Sequence, residues 1–408
     1  MSKRILAITF IYVCTVVAWA ILTGTMIVRT QTQDEKLREA VGQLWGTKHT
    51  QQAPSVYYKL ARTNQTAGKG EKATGCIPLH ASDIEVDLKL DYRKKGLLWY
   101  STYRVGFSGK YQVINNSDQP REMFLNFRFP VQGAVYDNFR FAVGAQEIQD
   151  IELESGRITR ALQLSPGQTE NIEISYISQG LDEWSYDLGS DVNLIRNFLL
   201  VLNTDFEEID FPNQSISPTY KEQTSNGWKL TWQYANLLTG VKIGMVMPHK
   251  LNPGPWVRKV TTAAPVSLFL FFFLLFVFTT LKKIKIHPMN YFFIGAAFFS
   301  FHLLLTYLVD HISIHLAFWI CSVVSIFLVV SYMRLVVGSR FAFIEIALSQ
   351  LVYLVFFSYT FFFEGYTGLA ITILCICTLF VVMQFTGKVD WEEIFAKSSQ
   401  TRSNKTPE

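Results

Sequence analysis

Two imidazoles and an acid stand together in Asp310-His311-x3-His315. On a helix, residues four apart share one face, the spacing from which two histidines could hold a metal. Two histidines leave such a site short of ligands, so a polar loop at the lipid headgroup level is the simpler expectation. His302 and Glu345 are ionisable residues inside long apolar runs, where polar groups are either functional or paired. For His302 the alternatives are a role at membrane depth or a bond to a Ser, a Tyr or a backbone carbonyl. For Glu345 an ion pair with Arg334 or Arg340 is expected, and Gln350 and Ser325 could add interhelical hydrogen bonds. Arg93-Lys94-Lys95-Gly96 reads as a solvated hairpin turn. Asp205, Glu207, Glu208 and Asp210 form an acidic patch without a calcium-type ligand loop. Cys76 is expected in a loop, buried or pairing with another chain. No phosphate loop, dinucleotide fingerprint, nucleophile elbow, zincin motif or paired CxxC is present, and no nucleophile, base and orienter can be matched. The expectation is a protein that is not an enzyme and has no cofactor or resident metal.

The elements that must position these residues are legible in the charge map. The 408 residues are 49% hydrophobic and 17% charged, with 33 Phe and a net charge of +4. Between Arg29 and Lys259, 26 basic residues face 26 acidic ones, so the excess belongs to the two ends, and 22 of the Phe lie between Ala263 and Phe385. Disorder, a single soluble domain and a basic nucleic-acid binder are all excluded. Six stretches reach the roughly 20 apolar residues that a bilayer-crossing helix needs: Ile5–Val28, Ala263–Leu281, Tyr291–Val309, Ile312–Met333, Phe341–Phe363 and Gly368–Phe385. The first is too long for a signal peptide and lacks a small-residue cleavage site before Arg29, so it reads as a retained anchor. With the N-terminus inside, all 11 basic residues outside the middle domain are cytoplasmic, and the two short outer loops hold only Asp310 and Glu364. The expected organisation is an anchor (residues 1–28), an extracytoplasmic domain (29–262), a five-helix bundle (263–386) and a cytoplasmic tail (387–408).

The middle domain begins as a helix, 34–46, with Leu37, Val41 and Leu44 at helical spacing and an end at Gly46. The period then changes to two. Ile84–Leu90 alternates strictly, and 99–113, 122–129, 139–143, 171–177, 198–203 and 228–234 are further strands, separated by Asn115-Asn-Ser-Asp, Ser165-Pro-Gly and Ser225-Asn-Gly turns. Short strands so spaced predict an antiparallel sandwich. Asn252-Pro-Gly-Pro255 reads as the linker back to the membrane. The fold class is therefore a membrane protein of six transmembrane helices, one N-terminal and five C-terminal, with a large inserted β-rich, sandwich-like domain. Four of the five cysteines fall in apolar runs, which leaves Cys76 without an intradomain partner.

In order along the chain, Glu35–Gly46 with Gln52-Ala53-Pro54, Arg93–Tyr103 with Gly109-Lys-Tyr111, and Gly227–Trp232 lead to Ile286-His-Pro-Met-Asn-Tyr291. Phe301–Leu305, Val309-Asp-His-Ile312, Glu364-Gly-Tyr366 and Lys388-Val-Asp-Trp391 follow. This succession resembles the CreD family of bacterial inner-membrane proteins. The resemblance implies a multi-pass protein associated with envelope stress, colicin tolerance and a two-component regulon. It also singles out His287, Asp310, His311, Glu364 and Tyr366, beside His302 and Glu345. His287-Pro288 is otherwise a helix start, while Asp310, His311, Glu364 and Tyr366 are expected in outer loops that dock the domain above them. The leading expectation is a non-enzymatic sensor or scaffold that meets the lipid bilayer and an envelope protein or cell-wall partner. A transporter or channel subunit, and a membrane enzyme with a site at the outer boundary, are the alternatives. No oligomeric state can be read from the sequence.

Overall fold

The computed structural model describes residues 2–59, 74–96, 98–151, 153–189, 193–363 and 365–387. The chain forms two compact units, Met1–Asp34 with Leu251–Glu408, and Glu35–Lys250. Among the described residues six helices are long and apolar enough to cross a membrane, one before the β region and five after it. They are α1 (Ser2–Trp45), α2 (Pro253–Leu281), α3 (Pro288–Leu308), α4 (Ile314–Val337), α5 (Ser339–Phe362) and α6 (Thr367–Thr386).

Three of these depart from expectation. The anchor and the helix expected at 34–46 are one uninterrupted α1, because no Gly or Pro lies between Val28 and Val41, across the join. It stops at Gly46, whose φ of +96° and N–H bond to the Gly42 carbonyl make a left-handed cap. The supposed linker Pro253-Gly-Pro255 is the first turn of α2, with Asn252 at the N-cap and proline where no N–H is needed. Pro265 therefore lies well inside α2 rather than at its edge. Finally, α5 contains two π-helical stretches, Ala342–Ile346 and Leu351–Phe356, on either side of Gln350.

Phe271, Phe298, Phe301 and Phe318 pack at the bundle's centre, whereas Phe269, Phe273 and Phe327 point outward. That division is the one expected of a bundle surrounded by lipid.

The described residues of the β unit form sixteen strands. The first five are β1 (His49–Gln52), β2 (Ser55–Lys59), β3 (Thr74–Ile77), β4 (Ala81–Lys95) and β5 (Leu98–Ile114). Then come β6 (Arg121–Arg128), β7 (Asp137–Val143), β8 (Gln146–Glu147), β9 (Leu153–Glu154), β10 (Arg157–Leu164) and β11 (Thr169–Leu181). The last are β12 (Glu183–Asp187), β13 (Asn193–Thr204), β14 (Tyr220–Gln223), β15 (Trp228–Thr239) and β16 (Ile243–Val246). An eight-stranded sheet (β14-β15-β13-β4-β5-β11-β7-β8), a five-stranded sheet (β3-β2-β6-β10-β9) and a three-stranded sheet (β1-β12-β16) share one apolar core. The alternation read at Ile84–Leu90 is real: Ile84, Val86 and Leu88 are buried, and Asp83, Glu85 and Asp87 are exposed.

Two pairings correct the expectation of an antiparallel sandwich. β13 runs parallel to β4, and β1 parallel to β12. Alternation reports a strand's two faces but not its neighbour's direction, so these joins between distant segments leave no trace in the pattern.

The three-stranded sheet buries His49 completely, with neither ring nitrogen hydrogen-bonded and Tyr103 edge-on at 6.0 Å. Burial pushes its pKa from 6.5 down to about 4. The folded domain thus holds a neutral imidazole that the unfolded chain would protonate. Stability is complete above pH 6.5 and is lost as the pH falls toward 4, by up to about 3 kcal/mol. Thermal unfolding of the full chain in detergent, followed by β-sheet circular dichroism, should fall between pH 7 and pH 5, and His49→Leu should flatten that slope. An unchanged slope would show that other groups set it. At the α1 cap, Gly46→Ala places a Cβ against the Gln179 carbonyl in a left-handed backbone. It should cost about 2 kcal/mol or more in the same melt.

Candidate functional site

The residues with chemical potential fall into three groups. The first is at the α3–α4 turn of the membrane unit. Val309 C-caps α3 and Ser313 N-caps α4, which leaves Asp310, His311 and Ile312 between them. Asp310 is ion-paired with Arg29 of α1, whose guanidinium also stands 5.9 Å from the Tyr307 ring. His311 is exposed, and His315, the second residue of α4, stacks on Phe362 at 4.6 Å. The two imidazoles share no metal-ligand set, and among the described residues no group of three His, Cys, Asp or Glu could hold a metal. Tyr366 precedes α6 at its N-cap and is exposed. Glu364 lies outside the described residues.

The second group lies within the bundle. His302 Nδ1 lies 3.1 Å from the Phe298 carbonyl of its own helix, its ring is fully buried, and its Nε2 has no partner. Gln350 Nε2 donates to Ser325 Oγ at 3.0 Å, which in turn donates to the Ala297 carbonyl at 2.9 Å, so α5, α4 and α3 are tied in series. Glu345 pairs with Lys282, not with Arg334 or Arg340. Arg340 is five residues earlier on the same helix and does not share its face, whereas Lys282 C-caps α2. His287 is the N-cap of α3, its Nδ1 accepting from the Met289 N–H at 3.2 Å, with Pro288 at the first helical position.

The third group is in the β unit. Asp205 Oδ1 accepts from the Leu90 N–H and Asp210 Oδ1 from the Phe211 N–H, each at 2.8 Å. Two carboxylates of the acidic patch therefore tie down backbone. Arg93, Lys94 and Lys95, expected in a turn, are instead the last residues of β4, paired with Tyr100, Trp99 and Leu98 of β5, and Gly96 follows the strand. Cys76, expected in a loop, sits on strand β3 and is exposed. Glycine is required beside it, because a Cβ at Gly75 would meet the Tyr58 ring. Cys76 lines a groove of about 570 Å³ between the start of the large sheet and the β2–β3 edge of the five-stranded one. Ala53, Ile77, Leu79, Leu194 and Phe198 supply apolar walls, and Gln52, Ser55 and Ser82 supply polar ones. Among the described residues of the lining Asp187 is the charged one, and its Oδ1 accepts from the Gly189 N–H at 2.9 Å. The described lining holds no histidine.

Sequence reasoning missed the groove and the Arg29–Asp310 pair. The pair did leave a signal, an unmatched cation and an unmatched anion each at an end of an apolar run. The groove left none, since its walls come from four separated segments.

Six apolar helices around an inserted β domain define a multi-pass membrane protein. Residues 257–392, 136 of the 408, match the model of the family described as inner membrane protein CreD, so the chain's membrane region is similar to that family. No curated protein matches the chain. Among solved structures, a Legionella pneumophila protein described as nutrient binding is 10% identical over 55% of this chain and 75% of its own, with a TM-score of 0.30. An M1 zinc metallopeptidase of Deinococcus radiodurans is 11% identical over 42% of each chain, with a TM-score of 0.22. Likenesses this slight carry no argument about function.

The Arg29–Asp310 pair is partly exposed, so Asp310→Ala should lower the melting midpoint of the full chain only slightly, by about 0.5 kcal/mol. The charge-swapped Arg29→Asp/Asp310→Arg double variant should recover most of that loss. No recovery in the swap would mean that Asp310 acts on something other than Arg29.

Proposed function

We propose that this CreD-like inner-membrane protein is a non-enzymatic sensor or scaffold, whose β domain binds an envelope component outside the cytoplasm. The observation that carries this reading is the groove. It is concave, and its described lining combines apolar side chains with polar groups and the Asp187 carboxylate, as a recognition site does. That described lining offers no nucleophile–base pair. The sequence supports the orientation, with both termini in the cytoplasm and residues 29–262 outside, because the basic residues of the short loops fall on one side. The family resemblance supports a place in envelope integrity. The bilayer is then the first partner, and an envelope protein or cell-wall fragment at the groove the second.

Photocrosslinking in living cells tests this. A photoreactive residue at Ser55 or at Leu194 should capture the same species, and one at Glu222, exposed on β14 away from the groove, should not. Equal capture from all three positions, or none from the groove pair, would refute the groove as the binding surface. Labelling of Cys76 in intact cells by a membrane-impermeant maleimide should succeed, and protection of Cys76 until the membrane is opened would reverse the orientation.

A further inference from the structure

Trp19 is the one fully buried tryptophan of α1, a helix most of whose membrane-spanning stretch is exposed. Its indole meets the His302 imidazole of α3 at 5.3 Å between ring centres, edge to face at 85°. Phe299 stands 6.0 Å from Trp19 and Phe301 4.9 Å from His302, so the two polar rings share an aromatic surround. Both carry one polar atom with no partner: Nε1 of Trp19 and Nε2 of His302.

The two orphans are of opposite kind. Indole Nε1–H can only donate. The Phe298 carbonyl can only accept, so His302 Nδ1 carries the hydrogen that reaches it, and a neutral ring then presents Nε2 as a bare acceptor. An unmet donor or acceptor in a dry interior is costly, and in hydrocarbon no bulk water relieves it. Nearby polar groups are already engaged. Thr306 Oγ1 donates to the His302 carbonyl at 2.7 Å, and its other contact is Met26 Sδ at 3.5 Å.

We propose that the α1–α3 seam binds a single hydroxyl group, which accepts from Trp19 Nε1–H and donates to His302 Nε2. A hydroxyl is the smallest group that does both at once. A carbonyl could only accept and an ammonium only donate, and each would leave one ring unmet. The hydroxyl is that of one water molecule or the alcohol head of a membrane amphiphile. Its occupancy joins α1 to the bundle by a directional bond, where packing alone cannot distinguish a helix neighbour from lipid.

Magic-angle-spinning NMR of the full chain in phosphatidylethanolamine–phosphatidylglycerol bilayers, with 15N-labelled Trp and His, tests the site. Trp19→Phe and His302→Phe assign the two resonances. The Trp19 indole proton should exchange magnetisation with a hydroxyl proton. A partner at the water frequency identifies water, and one that disappears on delipidation identifies an amphiphile. Magnetisation passing directly to His302 Nε2, or to aliphatic protons alone, overturns the proposal. Replacing Trp19 with β-(3-benzothienyl)alanine keeps the ring and removes the donor. It should shift the His302 Nε2 resonance and lower the melting midpoint by roughly 2–4 °C. The same replacement in a His302→Phe background should cost nothing further. An isosteric replacement that leaves both readings unchanged in the wild-type background would also overturn the proposal.

Discussion

Hydrocarbon supplies no hydrogen bonds, and the arrangement of the membrane unit follows from that constraint. Most hydroxyls within the spans return to a carbonyl one turn back on their own helix. Ser322 bonds Phe318, Thr306 bonds His302 and Thr378 bonds Leu374. Such bonds satisfy the side chain without choosing a neighbour. Helix partners are chosen by the bonds that cross, among them Tyr12 to the Pro265 carbonyl, Trp256 Nε1 to the Phe361 carbonyl, Ser325 to the Ala297 carbonyl, Gln350 to Ser325, Tyr332 to Asn290, and Tyr353 with Thr378. Because lipid tails solvate leucine as well as another helix does, these bonds, together with close packing, fix which helices meet. The π-helical stretches of α5 belong to the same account. There the i to i−4 pattern is relaxed, and the Tyr353 carbonyl accepts from Ser267 of α2.

The β unit meets the same demand with tyrosine. Tyr103 donates to the Glu183 carbonyl and Tyr176 to Gln51 Oε1, each at 2.7 Å, while the Tyr111 and Tyr186 hydroxyls meet at 3.2 Å. Large apolar rings thereby enter a core shared by three sheets, and their polar ends are still met. Two members break the pattern. His49 and its cross-strand neighbour Trp184 are fully buried, and their ring nitrogens stay unbonded. The pH sensitivity assigned to His49 is a consequence of that omission. A tyrosine in its place could have reached a carbonyl, whereas an imidazole there is tolerated only while neutral.

The parts of the fold that were legible in the sequence were those governed by a local period. Apolar runs gave six spans, strict alternation gave the core of β4, and further period-two segments between turn residues gave parts of β5, β11 and β15. What stayed hidden depended on meetings between distant segments. β1, β12 and β16 are only four or five residues long, and β12 is buried at Trp184, Ser185 and Tyr186 in succession, so no alternation marks it. Glu345 was correctly read as an ion-pair member and given the wrong partner, because the nearest cations in sequence were chosen over Lys282 across the bundle. Pro253 looked like a linker because proline reads as a breaker, yet at the first turn of a helix it is a start. In the site, His302 was visible as an anomaly, but its relation to Trp19 was not, since 283 positions separate them in the chain.

Several of the residues that first suggested chemistry are therefore occupied in holding the molecule together: Asp310 with Arg29, Glu345 with Lys282, and His287 as a helix cap. Among the described residues that line the β unit's groove, Asp187 is the charged one. Its carboxylate already accepts a backbone N–H, and the residues from Arg29 to Lys259 balance 26 cations against 26 anions. A domain without net charge does not steer a partner over long distances, since that requires a summed field reaching beyond a Debye length of about 8 Å. Recognition in such a groove must rest on shape and on contacts made after arrival. Its rate would then change little with salt, unlike that of a charged ligand drawn into a charged cleft.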